Sequence, residues 1–158
     1  AALRRRAAVE VRPRVLRAAP ENLPDLLVDI DLVIDGCDNF PTRFAVADAC
    51  AAANKPLISG AVSGFAGQLL AQPAGGAPCY RCLFESEPEE ARSCDADGVL
   101  PGATLSVAGM MVQWSLLALL ERPEVPWGNL LQGDLVSGVW RALSLKARAD
   151  CRCGSPSD

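Results

Sequence analysis

With 158 residues, half of them apolar, the chain is long enough to bury a substantial core, and we expect a single domain over residues 1–158. Its 15 basic and 19 acidic side chains give a net charge of −4, which disfavours a nucleic-acid or anionic-membrane surface and favours a small molecule or a protein as partner. The chain has no histidine, which excludes Ser-His and Cys-His nucleophilic pairs and every histidine-containing metal site.

The first half of the chain follows a strand, helix, strand pattern. After a short helical stretch that ends near residue 27, residues 31–35 form an apolar run that ends in a carboxylate, which is typical of a strand buried on both faces. A helix is predicted for residues 41–53 and a second strand for residues 56–62. This order predicts a βαβ unit of a parallel sheet. Ligands of such sheets bind beyond the carboxyl ends of the strands, where Asp35 and Asp38 stand.

The second half of the chain has an antiparallel pattern. Strands are predicted for residues 68–72, 129–135 and 139–145, with turn signals between the last two. Between the first and second of these strands, we predict an acidic surface loop over residues 85–98 and a long apolar helix over residues 103–120.

Three glycines, Gly60, Gly64 and Gly67, have a spacing that suggests a phosphate-binding loop. Such a loop leads into a helix whose N-terminus holds the phosphate. Here the glycines lead into another strand, so a tight turn between two strands is favoured.

The long apolar helix also bears on the cellular location of the protein. Its stretch, residues 104–120, carries Gln113 and is shorter than the roughly 20 apolar residues that span a bilayer. The Arg-rich start of the chain is not followed by the apolar core of a signal peptide. We therefore expect a cytoplasmic protein with no membrane partner.

The seven cysteines indicate metal or thiol chemistry. Their number is odd and no secretory signal precedes them, so a disulfide framework is disfavoured. Cys37 and Cys50, at a strand end and on a helical pattern, are expected to be packing residues.

Four of the cysteines form two close pairs, Cys79 with Cys82 and Cys151 with Cys153. Four thiolates at such spacing can enclose a tetrahedral Zn²⁺, and a closed set of four leaves no open position, so the predicted role is structural. A redox role for the first pair is disfavoured because no helix is predicted after it whose N-terminus would stabilise a thiolate. Zinc is therefore favoured over free or redox thiols.

The turn after the first strand, Asp35 to Asn39, admits two interpretations. A carboxylate and an amide at a strand end can hold Mg²⁺ and orient a triphosphate. Equally, Asp38 or Asn39 can be the N-cap of the following helix.

Four segments share their order and spacing with one family: DLVIDGCDNFPTRF, PLISGAVSGFAGQL, CYRCLF and CDADGVLP. Over residues 21–154 the chain resembles the ThiF/MoeB/HesA adenylyltransferases, relatives of the ubiquitin-activating enzymes. The resemblance implies the C-terminal portion of a Rossmann-like α/β fold with a mixed sheet. It divides the domain into an α/β part with a nucleotide-site turn (1–72), a first cysteine pair with a crossover loop (73–102), and a helix, antiparallel strands and a second cysteine pair (103–158).

The reaction that the resemblance implies joins ATP to the C-terminal Gly-Gly carboxylate of a ubiquitin-like sulfur carrier protein, as in thiamin or molybdopterin biosynthesis. The products are an acyl-adenylate and pyrophosphate. Asp38 would bind the Mg²⁺–ATP, Asn39 would support the nucleotide, and Arg43 would bind there too or brace the turn or its helix. The implied ligands of a structural zinc are Cys79, Cys82, Cys151 and Cys153.

Cys94 matches the loop cysteine that becomes linked to the carrier in the thiamin branch of the family. In the molybdopterin branch the equivalent thiol is dispensable, so an exposed bystander is the alternative. The second cysteine pair departs from the family pattern, since Arg152 stands where the family has two residues.

The N-terminal third of the family pattern, with its glycine-rich phosphate cradle and basic residues, has no match in this sequence. We therefore expect an incomplete enzyme that is inactive alone. Two alternatives stay open: a non-catalytic module for carrier binding or dimerisation, and a sulfurtransferase that works through a persulfide on Cys94. A homodimer and a separate sulfurtransferase are further candidate partners.

Overall fold

A computed structural model describes residues 9–88 and 98–154 of the chain. Within these residues a five-stranded sheet has the strand order β1-β2-β3-β4-β5. The strands are β1 (Val33–Asp35), β2 (Leu57–Ser63), β3 (Ala66–Gln72), β4 (Asn129–Asp134) and β5 (Val139–Ser144). The helices are α1 (Leu23–Leu26), α2 (Phe40–Ala52), α3 (Tyr80–Leu83) and α4 (Pro101–Leu119), followed by a 3₁₀ turn at Arg152–Gly154.

The sheet is mixed. Strands β1 and β2 are parallel, with Val33 opposite Leu57, and α2 connects them. The remaining neighbours, β2 with β3, β3 with β4, and β4 with β5, are antiparallel. The predicted βαβ unit and the predicted antiparallel second half are therefore both confirmed, with element ends shifted by one or two residues.

Each face of the sheet carries its own core, because successive strand residues point to opposite sides. On one face Leu57 and Leu70 pack with the apolar side of α2, including the fully buried Cys50. On the other face Ile58 and Leu69 pack with residues of α4. The two cores place α2 and α4 on opposite sides of the sheet.

Helix α4 approaches the sheet closely where the strands carry glycine. A Cβ on Gly60 would lie 2.3 Å from Met111 Sδ, and a Cβ on Gly67 would lie 2.7 Å from a Val107 methyl. The outward face of α4 exposes apolar side chains, including Leu105 and Val112. By length and composition alone α4 would be able to cross a membrane, with 22% of its apolar window buried. The expected absence of a membrane partner therefore stays a prediction.

The glycine-rich stretch forms the hairpin between β2 and β3. Gly64 has φ +54°, in the left-handed region that glycine adopts most easily. The predicted tight turn is therefore confirmed. The N–H of Gly64 donates to the Gly98 carbonyl at 3.1 Å, and the Leu100 N–H donates to the Gly64 carbonyl at 3.2 Å. These bonds tie the start of α4 to the hairpin.

Candidate functional site

A cleft of about 960 Å³ opens beyond the carboxyl ends of β1 and β2. Its wall includes Asp38 on the turn after β1, Arg43 on α2 and Tyr80 on α3, and it continues over β3 and the β4-β5 hairpin. This is the position at which sheets with parallel strands bind their ligands.

The structure shows which residue of this turn is the N-cap of α2. The Asn39 side-chain oxygen accepts the Thr42 N–H at 2.9 Å, so Asn39 is the N-cap of α2. The Asn39 amide donates to Asp38 Oδ1 at 3.2 Å. Asp38 itself is exposed at the cleft, so its carboxylate is accessible to a cation or a ligand there.

Arg43 is buried and holds the turn after β1 in place through its hydrogen bonds. Its guanidinium donates to Ser59 Oγ at 3.0 Å, to the Gly60 carbonyl at 2.8 Å and to the Cys37 carbonyl, and it lies 3.5 Å from Asp35 Oδ2. The carboxylate of Asp35 also accepts the Ser59 hydroxyl and the Cys37 N–H, both at 2.9 Å. The network fixes the turn after β1 to the middle of β2, and most of the hydrogen-bonding capacity of Arg43 is used inside the protein.

An aromatic cluster forms the inner part of the cleft wall. The Tyr80 ring lies 6.3 Å from Phe40, 5.5 Å from Phe44 and 5.4 Å from Phe84, measured between ring centroids. Gln72, fully buried on β3, accepts the Tyr80 N–H at 3.1 Å. Tyr80 is therefore held from both its backbone and its ring.

The hydroxyl of Tyr80 is buried and has no hydrogen-bond partner among the described residues. Burial raises the pKa of Tyr80 to about 12, with the charge of Arg43 opposing the shift and that of Asp35 adding to it. Both charged groups thus act on this hydroxyl.

The two cysteine pairs meet at α3, which carries Cys79 at its N-cap and Cys82 in its single turn. Cys79 Sγ lies 3.9 Å from Cys82 Sγ and 3.5 Å from Cys151 Sγ, and Cys82 Sγ lies 3.4 Å from Cys153 Sγ. All four sulfur atoms are within 4.8 Å of one another. A tetrahedral metal–sulfur site with bonds of about 2.3 Å separates its sulfurs by about 3.8 Å, so the cluster fits a metal ion. The short spacing of the second pair does not prevent this convergence.

The environment of the first pair differs from the prediction in one respect. No helix was predicted after Cys79, but Cys79 is the N-cap of the one-turn helix α3. Four residues are too few for the apolar periodicity that identifies longer helices. Burial opposes ionisation of Cys82, yet backbone hydrogen bonds from Arg148, whose N–H lies 3.5 Å from the sulfur, and from Cys79 lower its pKa. Burial raises the pKa of Cys153 to about 11.

The similarity of the chain to known proteins extends over both the cleft and the cysteine cluster. The sequence pattern of the ThiF family matches residues 1–155. The chain belongs to the ThiF family. This membership confirms the resemblance that the four sequence segments indicated.

Two relatives within the ThiF family have informative names. The chain is 40% identical to the adenylyltransferase and sulfurtransferase MOCS3 of Bos taurus, over 98% of the chain and 35% of that protein. It is 37% identical to the sulfur carrier protein ThiS adenylyltransferase of Escherichia coli K12, over 87% of the chain and 55% of that protein. The chain thus spans 35% of the length of one relative and 55% of the other.

A solved structure shares the fold. The crystal structure of E. coli MccB with ATP superposes with a TM-score of 0.69, over 89% of the chain and 45% of MccB, at 14% identity. At this identity the similarity shows the fold alone. It confirms the Rossmann-like mixed α/β sheet.

The ThiF-family chain brings most of its predicted site residues to two places. Asp38, Asn39 and Arg43 lie at the turn beside the cleft, and the four paired cysteines converge at the second site. Cys94 lies outside the described residues. Cys50 is buried as expected, whereas Cys37 is half-buried at the turn. Burial raises the pKa of both thiols to about 12.

Two residues of the site went unnoticed in the sequence. Ser59 belongs to the buried network around Arg43 and Asp35, and Tyr80 lines the cleft. Ser59 stands within an apolar strand pattern, and a small hydroxyl there gives no signal of its own. Tyr80 stands inside the C-x-x-C motif, where the cysteines dominate the interpretation. Only their contacts in the folded chain reveal them.

Proposed function

We propose that the protein containing this chain uses ATP to adenylate the C-terminal Gly-Gly carboxylate of a ubiquitin-like sulfur carrier protein. The observation that carries the proposal is the Asp38 turn at the mouth of the 960 Å³ cleft, in a chain of the ThiF family. The names of the two relatives, both adenylyltransferases and one specific for a sulfur carrier protein, support the reaction type and the partner. MccB, which shares the fold, has been crystallised with ATP.

In this reaction a carboxylate oxygen of the carrier attacks the α-phosphorus of ATP. A new P–O bond forms as the bond to pyrophosphate breaks. Asp38 is the residue that would hold Mg²⁺, because its carboxylate is exposed at the cleft and Mg²⁺ takes one or two protein carboxylates together with phosphate oxygens and water. Mg²⁺ would neutralise charge on the phosphates. Asn39 and Arg43 keep the turn in place, through the helix cap and the contacts with β2.

The cysteine cluster has a separate, structural role in this proposal. The sulfur separations support Zn²⁺, which favours four thiolates in a tetrahedron. Zinc at Cys79, Cys82, Cys151 and Cys153 would fasten the end of the chain to α3. Helix α3 in turn packs on α2, where Arg81 forms a bidentate pair with Asp48 at 2.7 to 2.9 Å. Zinc at these cysteines would therefore stabilise the aromatic side of the cleft wall.

Phosphate chemistry of this kind depends on cations and N–H donors that surround the phosphates. In the cleft wall of the described residues the Arg43 guanidinium is engaged with protein groups. The chain covers 35% and 55% of the two relatives, so we expect groups outside it to complete the phosphate site. The chain alone should then show no turnover.

Carrier-dependent exchange of pyrophosphate into ATP tests the function. We expect exchange by the complete protein and none by the chain alone. Asp38→Ala should lower exchange by about 100-fold or more, the scale of losing one electrostatic contact to the phosphates. Asp31→Ala, which removes an exposed carboxylate away from the cleft wall, is the matched control and should retain activity.

Other outcomes of the same assay would redirect the proposal. Full activity of Asp38→Ala would remove this residue from the mechanism. Exchange by the chain alone would show that the phosphate site is formed elsewhere. A complete protein that binds a carrier but exchanges no pyrophosphate would favour a non-catalytic carrier-binding module.

A further inference from the structure

The hydroxyl of Tyr80 stands out among the buried polar groups of this chain. Tyr80 is 2% exposed, and its hydroxyl is the one buried side-chain polar atom without a hydrogen-bond partner in the described parts of the chain. Buried tyrosine hydroxyls nearly always find a partner, because an unsatisfied donor loses its hydration and gains nothing in return. A buried group left unsatisfied in a folded protein needs an explanation, and a functional role of that group is one of them.

The packing around Tyr80 keeps its hydroxyl from rotating out into water. Its backbone N–H is held by Gln72, whose amide also donates to the Ala47 carbonyl at 3.1 Å. Its ring is packed among three phenylalanines. The following residue, Arg81, is paired with Asp48 and lies over the Phe44 ring, 4.6 Å from its centroid. The side chain therefore cannot swing out to water without breaking this packing.

The position of the hydroxyl restricts the chemistry of the missing partner. Tyr80 and Arg43 line the same cleft, so the wall that contains Tyr80 also carries a positively charged guanidinium. An anionic oxygen placed there would accept the hydroxyl proton in a hydrogen bond and would be attracted by the guanidinium. Hydrogen bonds to a charged acceptor are stronger than those between neutral groups.

We propose that the Tyr80 hydroxyl is a substrate-binding group of the cleft, which donates a hydrogen bond to an anionic oxygen of the bound substrates. The oxygen belongs to a phosphate of ATP or to the carboxylate of the carrier tail, so the inference rests on the adenylation proposed above. The hydroxyl is closed to water in the free chain. Binding therefore displaces one of the half-buried neighbours that share the cleft wall, Phe40 or Phe84.

This proposal predicts effects of opposite sign in the free and the bound protein when Tyr80 is replaced by Phe. In the free protein the substitution removes an unsatisfied donor and keeps the ring, so the unfolding midpoint temperature should stay the same or rise. In the bound protein it removes a hydrogen bond to the ligand, so binding should weaken about tenfold. A purely structural tyrosine with a satisfied hydroxyl would show the reverse pattern.

The experiment measures calorimetric binding and thermal unfolding for the complete wild-type protein and its Tyr80→Phe variant. One arm uses Mg²⁺ with a non-hydrolysable ATP analogue, and the other uses a sulfur carrier protein ending in Gly-Gly. Weaker binding in the first arm assigns the partner to a phosphate, and weaker binding in the second assigns it to the carrier carboxylate. Ser115→Ala is the control, because Ser115 is buried outside the cleft and its hydroxyl is satisfied by the Met111 carbonyl at 2.7 Å. Its binding of both ligands should equal that of the wild type.

Three results overturn the inference. Unchanged binding in both arms, in a wild-type protein that performs the exchange reaction, refutes the role of Tyr80 and leaves the adenylation proposal intact. A lower unfolding temperature of Tyr80→Phe with unchanged binding shows that the hydroxyl is satisfied inside the protein. A wild-type protein that binds neither ligand and exchanges no pyrophosphate refutes both proposals together.

Discussion

Replacing Arg43 with Met tests whether the buried network of Arg43, Asp35 and Ser59 stabilises the turn after β1. The Arg43 and Asp35 side chains are 6% and 2% exposed. The substitution keeps most of the side-chain volume but removes the donors to Ser59, Gly60 and Cys37. Asp35 then remains buried as a carboxylate without a cation, which is the costly way to break a buried pair.

The expected loss in the free energy of unfolding depends on the hydrogen bonds that Asp35 keeps in the variant. Removing one partner of a buried ion pair costs about 3 to 5 kcal/mol. Asp35 still accepts from the Ser59 hydroxyl and the Cys37 N–H, both at 2.9 Å, so its charge stays partly compensated. We therefore expect the lower end, a loss of about 3 kcal/mol in the free energy of unfolding. Because domains of this kind have only about 5 to 15 kcal/mol in total, the loss is easily measured.

Urea unfolding followed by circular dichroism gives the free energies, and a double-mutant cycle isolates the pair. Adding Asp35→Asn to Arg43→Met removes the uncompensated charge while keeping the side-chain shape. We expect the double variant to recover about half of the loss or more. Arg141→Met is the control at an exposed site and should change stability by about 0.5 kcal/mol or less. A loss below about 1 kcal/mol for Arg43→Met, or no recovery in the double variant, would show that the pair is not strongly coupled.

Three further predictions concern the cysteines and the packing of the sheet. Protein purified without chelator should contain about one zinc per chain, and Cys153→Ser should lose it; elemental analysis showing no stoichiometric metal in the wild type would contradict this. In the metal-loaded protein an alkylating reagent should label Cys94, which lies in the acidic stretch, before the paired cysteines, and mass mapping that finds equal protection would refute this ordering. Gly133→Ala should destabilise the chain by about 1 to 3 kcal/mol, because the new Cβ would lie 2.4 Å from the Trp140 ring. A Cβ on Gly36 meets nothing within 4 Å, so Gly36→Ala should lower the free energy of unfolding less in the same urea assay.

Much of the fold was predictable because its signals are local. The β1-α2-β2 unit has a continuous apolar strand, a capped helix with proline in its first turn, and a second apolar strand, so each element is visible in its own residues. The four paired cysteines were predictable for a similar reason, since their spacing along the chain reflects the metal geometry they serve. The one-turn helix α3 was missed because four residues cannot show a helical period.

The part of the site that depends on distant contacts could not be predicted. Asn39 and Asp38 were equivalent cap candidates, and only the backbone at the start of α2 selected Asn39 for the cap. Arg43 looks like an ordinary helix residue until folding places Ser59, 16 positions along the chain, beside its guanidinium.

The sequence by itself determined the family, the order of the elements and the identity of the reactive side chains. The tertiary structure decided which of those side chains are free to act: Asp38 faces the cleft, while Arg43 is engaged in bracing the turn. It also revealed the unsatisfied hydroxyl of Tyr80. The reason is physical, because burial and hydrogen-bond satisfaction depend on groups that approach from other elements and are not encoded in any one segment.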